Sequence, residues 1–301
     1  MSAAESTDVK FESNSEYYSA TIDAYTRASN RRAVLTDFVE NELPVLTLPA
    51  VGNAAHNHGS LRVLSVGPGD GDIDIKILIK LHQREQRPLR AVIVEPDPLL
   101  LGRYKARAEK VQGVDFEWRQ ETLEEFQESR TGQDVKFHFV NFFNAIYYMK
   151  DKEKSLRYMY DKLDVGGVLI ITVMSGEGGF ARFWRYHSQR SGHDPLCDSG
   201  DVIQYLKNQR IPVCATVNKK CYLNITPCFA SPMQELSGDG TLLLDFITHT
   251  LGFTKHTPVE YQDGVMRLLG SEDCSARDAS GRVLLNVDNV VFVIRANDQI
   301  V

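Results

Sequence analysis

A short apolar run, Leu61-Arg-Val-Leu-Ser-Val66, passes without a break into Gly67-Pro-Gly69-Asp-Gly71 and then into a segment of helical character from about Asp72. No other stretch constrains the fold as tightly. The β-branched content of 62–66 suits a buried strand, and the three glycines let a ligand's polar atoms approach backbone that side chains would otherwise cover. About 24 positions after the last glycine, a second apolar run, Arg90-Ala-Val-Ile-Val94, ends in Glu95, whose carboxylate suits the two hydroxyls of a ribose. Strand, glycine turn, helix and acid-terminated strand together predict a parallel α/β sheet with an adenosine-type ligand beyond its strand ends.

The spacing bears on which ligand. A dinucleotide turn reads G-x-G-x-x-G, with a third glycine for close helix packing; here the pattern is G-x-G-x-G and position 72 is aspartate. Pyrophosphate at the helix start is opposed by Asp70, Asp72 and Asp74, whereas S-adenosylmethionine has no phosphate and carries a sulfonium and an ammonium. The expectation is therefore a methyltransferase using S-adenosylmethionine. A nicotinamide-dependent oxidoreductase and a turn that binds nothing are the competing readings.

Composition narrows the partners. A net charge of -6 disfavours nucleic acid, since phosphate binding needs a basic face, and leaves a small molecule as the expected substrate. Five cysteines, an odd number with no C-x-x-C pair and no signal peptide before them, fit free thiols in a reducing cytoplasm. No apolar run approaches the roughly 18 residues of a membrane span, and no histidine pair sits at a helical metal-binding spacing, so no membrane and no metal are expected. His187, His193 and His249 read as surface or packing residues.

At 301 residues the chain can hold one large or two modest domains. Residues 1–15 are polar and read as frayed, 17–43 as one or two helices ending at Pro44, and 52–59 as a linker. Alternation then sets in: a helix rich in Ile73, Ile75, Ile77, Leu78 and Leu81, the Glu95 strand, a helix over about 98–111, a strand at 114–118 and a polar stretch at 119–130. A strand at 135–140, a helix near 151–163 and the very apolar strand 166–173 follow. Residues 175–235 read as an irregular insertion plus a helix, 241–251 as a helix, and 282–294 as one or two closing strands. The pattern predicts a doubly wound, mostly parallel, Rossmann-like α/β sheet. Three regions are expected: an N-terminal helical substrate cap (1–52), the S-adenosylmethionine-binding core (53–174), and a substrate-side region with closing strands of the same sheet (175–301).

In such a sheet the ligand lies where strand order reverses. Glu121 and Thr122 follow strand three, and Asn141-Phe-Phe-Asn144 follow strand four, continuing into Ala145-Ile-Tyr147-Tyr148. Two adjacent tyrosines here can wall a cationic pocket, each ring attracting a sulfonium or ammonium by roughly 0.5–2 kcal/mol; alternatively they begin a helix and pack on the sheet.

With these pieces in order, the chain resembles the histamine N-methyltransferase family along nearly its whole length. The likeness is carried by LSVGPGDGDIDIKIL at 64–78, VEP at 94–96, FEWRQET at 116–122, YYMKD at 147–151, SGEGGFARFW at 175–184 and GRVLLN at 281–286. It implies a monomeric cytosolic methyltransferase in which Gly67 and Glu95 hold the donor, with Gly69 and Gly71 beside them and Phe143 on the adenine side. Leu100 and Leu123 stand where the family has polar donor contacts, and Thr122 is the adjacent substitute. Tyr147, Tyr148, Trp184, Cys197 and Phe246 match pocket walls, Tyr18 matches more weakly, and Phe180 replaces a tryptophan.

Three polar substrate contacts depart from the family. Arg31 stands where the family places a glutamate, Asn144 replaces a glutamine, and Val287 an asparagine, with Asn286 and Asn289 nearby. An arginine repels an ammonium, so histamine is expected to be a poor acceptor and Arg31 to recognise a carboxylate on an imidazole or aromatic amine. The same arginine on a solvated helix face is the competing reading. Methyl transfer needs orientation more than a strong base, with about 7–11 kcal/mol available from positioning in ideal cases. Asn144, Tyr147 and Tyr148 are therefore assigned to orienting the acceptor. A genuine histamine N-methyltransferase and a non-catalytic ligand-binding relative complete the alternatives.

Overall fold

The computed structural model describes residues 15–47, 59–229 and 236–296, which fall into two compact units. The smaller unit joins the described residues up to Ser29 to those of Leu223–Leu285; the larger joins those of Asn30–Tyr222 to the described residues from Asn286 onward. The polar segment 1–15, save Ser15, and the expected linker 52–59, save Gly59, lie outside the described residues.

The larger unit is built on a seven-stranded sheet of order β3-β2-β1-β4-β5-β10-β6. Strand β1 (Leu61–Val66) runs parallel to β2 (Leu89–Val94) on one side and to β4 (Phe137–Phe143) on the other. β2 continues to β3 (Val114–Arg119) and β4 to β5 (Leu163–Met174), again parallel. Only β10 (Asn289–Arg295) is antiparallel, to β5 and to the edge strand β6 (Val213–Lys219). The chain thus builds outward from β1 to β3 and restarts on the other side with β4, so the order reverses between β1 and β4. That is where an open α/β sheet leaves a crevice.

Side chains of one strand alternate between two apolar layers. Leu64, Val66, Val92 and Val94 enter one; Val63, Ala91 and Ile93 enter the other with Ile77, Leu78 and Leu81. Both faces are covered, which is why the central strands read as apolar runs rather than as alternating ones. The connections from β1 to β5 hold helices α4 (Asp72–Glu85), α5 (Pro98–Ala108), α6 (Leu123–Glu128), α7 (Arg130–Asp134) and α8 (Lys152–Asp161).

Several expectations need correction. Pro44 does not end the N-terminal helical segment: α2 (Arg31–Asp37) runs through a π-turn at Phe38–Glu42 into α3 (Leu43–Leu46), with Pro44 in the first turn of α3. Proline is tolerated there because a first turn leaves its N–H groups unbonded in any case. The stretch 175–235, read as an irregular insertion plus one helix, contains two helices, α9 (Gly179–Ser191) and α10 (Ser199–Asn208), followed by β6. Asp198 and Asp201 form a reciprocal cap at the start of α10, a signal present in the sequence. Strand β6 escaped because it is an edge: its residues alternate between exposed and half-buried and include the exposed Cys214, so it has no apolar run. Of the closing strands only β10 enters the large sheet. β9 (Val283–Asn286) lies instead in a three-stranded sheet with β7 (Tyr222–Asn224) and β8 (Ser275–Arg277).

The smaller unit also carries α1 (Ser15–Ala28) and α11 (Gly238–Thr248). Tyr17 donates its hydroxyl to Asp245 at 2.7 Å, and that carboxylate also accepts the Gly252 and Phe253 backbone N–H groups at 2.6 and 3.0 Å. Burial pushes the Asp245 carboxyl upward, and these three donors pull it back.

Candidate active site

The turn after β1 is held from both sides. Gly67, Gly69 and Gly71 have φ of 60°, 61° and 74°, all in the left-handed region that side chains disfavour. The three are not equivalent. A Cβ on Gly67 would sit 2.6 Å from the Ala145 Cβ, and one on Gly71 2.4 Å from the Tyr104 ring, whereas one on Gly69 would meet nothing within 4 Å. Two glycines therefore serve close packing, and only Gly69 presents open backbone to a ligand.

Gly69 donates its N–H to Glu95 Oε2 at 2.9 Å, and Asp97 donates its N–H to Oε1 at 3.0 Å. Glu95 is 5 % exposed, and burial raises its carboxyl to about 7, with the two backbone donors opposing the rise. The acid at the end of β2 thus links the turn after β1 to the turn after β2.

The acidity of the loop is not what the sequence suggests. Asp70 and Asp72 are bound by Arg32 at 3.1 and 2.9 Å and by Arg107 at 2.8 and 3.4 Å, and Lys76 reaches Asp72 at 2.9 Å. With three cations on two carboxylates, the charge of Asp70 and Asp72 is paired within the fold and is weaker against a phosphate than the sequence suggests. Asp74 is different. It is buried beneath the loop, accepting hydrogen bonds from Ser65 Oγ at 2.8 Å, from the Tyr104 hydroxyl and from the Asn141 side-chain amide. Burial pushes its carboxyl upward against those three donors. This knot ties β1, β4, α4 and α5 together, and sequence reading missed it, although an acid among Ile73, Ile75 and Ile77 was a visible anomaly.

The turn after β4 lies against the first. Strand β4 extends to Phe143, so Asn141 and Phe142 are buried strand residues rather than loop residues, and Phe143 is half-buried at the strand end. Asn144 has φ of 51°, left-handed without being glycine. Its backbone N–H reaches Thr172 O at 2.9 Å and Thr172 Oγ1 at 3.0 Å, and its Nδ2 donates to the same Oγ1 at 3.0 Å. The Tyr147 hydroxyl donates to Asn144 Oδ1 at 3.3 Å and accepts the Met174 N–H at 2.7 Å. Tyr147 and Tyr148 meet edge to face in a short 3-10 turn, with Tyr148 46 % exposed. Gly67–Gly71, Glu95, Asn144 and Tyr147 thus gather at the ends of β1, β2 and β4.

The remaining candidates scatter more. Thr122 caps α6, accepting the Glu125 N–H while Glu125 accepts the Thr122 N–H, so the acidic run contains a capped helix that buries Leu123 and Phe126. Phe180 meets Phe183 and Trp184, and Trp184 and the buried His187 continue the ring cluster to His193. Cys197 is buried in the core, where desolvation pushes its thiol up to about 12. Arg31 is half-buried on α2, and its positive charge acts on the buried Cys221 thiol; its neighbour Arg32 is the residue on the glycine loop. Tyr18 and Phe246 belong to the smaller unit, where Phe246 packs on Tyr25 at 5.0 Å. Among the described residues no group of three or more His, Cys, Asp or Glu is placed to hold a metal, and no helix is long and apolar enough to cross a membrane.

A methyltransferase-domain family model matches residues 27–209. Histamine N-methyltransferase A of Xenopus laevis is 30 % identical over 283 residues, covering 91 % of this chain and 93 % of its own. The Danio rerio histamine N-methyltransferase is 28 % identical, covering 92 % and 94 %. Among solved structures, loganic acid methyltransferase with SAH superposes with a TM-score of 0.50 at 9 % identity, covering 98 % of each chain, a likeness of fold alone.

Proposed function

Because the chain belongs to the histamine N-methyltransferase family of methyltransferases, we propose that it methylates a nitrogen of a small imidazole or aromatic amine whose carboxylate meets Arg31. It is an S-adenosylmethionine-dependent N-methyltransferase with a class I Rossmann-like fold. The residues present fit that donor: beside Gly69 the backbone is uncovered, and Glu95 joins that turn to the next, Oε2 accepting the Gly69 N–H and Oε1 the Asp97 N–H. Gly69 and Glu95 would hold it, with Gly67 and Gly71 shaping the turn and Phe143 and Thr122 beside it. When bound, S-adenosylmethionine supplies a methyl group on a positively charged sulfur.

Everything else is the work of the chain's own side chains. Asn144 presents a carboxamide fixed at both ends, suited to orienting an acceptor ring without removing a proton from it. Tyr147 and Tyr148 offer ring faces to cationic groups, and the Phe180 and Trp184 cluster supplies an apolar wall that excludes water. Cys197 stays a neutral thiol and has no part in acid-base chemistry.

The observation carrying the carboxylate reading is the guanidinium of Arg31 at the start of α2, half-buried and next to the arginine that grips the glycine loop. Histamine and histidine form a matched pair differing by one carboxylate. Labelled-methyl transfer is expected to favour histidine, and Arg31→Glu to reverse the preference; a wild-type preference for histamine would overturn the reading. Histamine itself remains the second reading, favoured by relatives that carry that name.

A further inference from the structure

We propose that Thr172 is a positioning residue for methyl transfer, its buried hydroxyl oxygen holding the Asn144 carboxamide toward the acceptor. The inference rests on the function proposed above and deepens the part played by Asn144. Thr172 lies in β5, 28 residues away in sequence, and is fully buried. Its hydroxyl oxygen accepts twice from one residue, from the Asn144 backbone N–H and from its side-chain Nδ2, both at 3.0 Å.

The geometry gives this contact a directional role. The Met174 N–H enters the Tyr147 hydroxyl oxygen, so the Tyr147 proton is aimed at Asn144 Oδ1. Thr172 therefore fixes the nitrogen end of the carboxamide and Tyr147 the oxygen end. One N–H and one lone pair of Asn144 remain to meet a substrate. The backbone at Asn144 is left-handed, a conformation asparagine takes more readily than other side chains, and the three bonds from Asn144 to Thr172 hold it there. The next residue, Ala145, presses on Gly67, so the placement of this amide is referenced directly to the donor loop. A threonine that merely filled space would need no acceptor oxygen at that point.

Thr172→Val keeps the shape and removes the oxygen. Turnover at saturating donor, with whichever of histamine and histidine is methylated faster, is expected to fall about ten- to hundredfold. Calorimetric affinity for S-adenosylhomocysteine should stay unchanged, and Thr172→Ser should restore turnover. Crystal structures of wild type and Thr172→Val with S-adenosylhomocysteine supply a readout independent of any acceptor, the expected result being an Asn144 carboxamide rotated away in the variant. An unmoved carboxamide, full turnover in Thr172→Val, or a serine variant as impaired as valine would overturn the proposal. If neither amine is methylated, the acceptor reading fails while the crystal comparison still decides the role of Thr172.

Discussion

Two neighbouring turns at the ends of β1 and β4 adopt the same left-handed backbone by opposite means. The turn at 67–71 uses glycines, and at Gly67 and Gly71 the missing Cβ makes room for Ala145 and Tyr104. The turn at 144–148 uses an asparagine, held by hydrogen bonds that it donates to Thr172 and by one that it accepts from Tyr147. Backbone freedom is supplied by the missing side chains in the first case and by hydrogen bonds, those to Thr172 from across the sheet, in the second. The turn at 67–71 therefore depends first on its own glycines, and the turn at 144–148 depends also on β5.

Substitutions can break this contrast. Gly71→Ala should have the largest effect, because the added methyl is strained at φ 74° and strikes the Tyr104 ring; a loss of about 3–5 kcal/mol is expected in thermal unfolding, with loss of donor binding. An undisturbed melting temperature would show that the loop yields, and that glycine is not what fixes it.

The next effect is one of pH. Glu95 holds its proton up to about 7 in the fold, against an ordinary value of 4.5, so between those values folding takes up a proton. The Glu95 contribution to stability is accordingly complete below pH 4.5 and lost as pH rises through 7, amounting to about 3 kcal/mol. On the proposed donor role of Glu95, donor affinity should run the other way, weakening below pH 7 as the carboxylate assigned to the sugar hydroxyls is neutralised. Urea titrations and calorimetry at pH 5.5 and 8 on wild type and Glu95→Gln test both signs; a wild type and variant with the same pH profile would remove Glu95 from both roles.

Asn144→Gly sharpens the contrast from the other side. Glycine accepts the left-handed backbone freely, so stability should change by less than about 1 kcal/mol while turnover falls about tenfold through loss of the carboxamide. A variant that unfolds more readily than Gly71→Ala would reverse the comparison. The smallest effect is expected for Arg107→Ala, since its ion pairs with Asp70 and Asp72 are 40 % exposed on the arginine side and Arg32 shares both partners; less than about 1 kcal/mol should be lost, and less still in high salt.

The same contrast explains what could be read from the sequence. The parallel sheet, the glycine turn and Glu95 are local signals, each confined to a few consecutive residues. Thr172, Asp74 with its partners Tyr104 and Asn141, and the arginines on Asp70 and Asp72 are meetings of distant segments, which no spacing rule discloses. Edge strand β6 and one of the two helices in 175–235 went unread for a related reason: the strand has an apolar-poor face, and α9 begins in the glycine-rich 176–179, which reads as loop. Charge misled most. An acidic loop in one dimension is a compensated one in three, because Arg32 and Arg107 are 38 and 37 positions from Asp70.

Of the five cysteines, four are buried and only Cys214, on the rim of the large sheet, is exposed. A maleimide dye should therefore find a single attachment point in the native enzyme. The fold thus comes with its own handle for fluorescence or surface tethering, and needs no engineered thiol to be watched one molecule at a time.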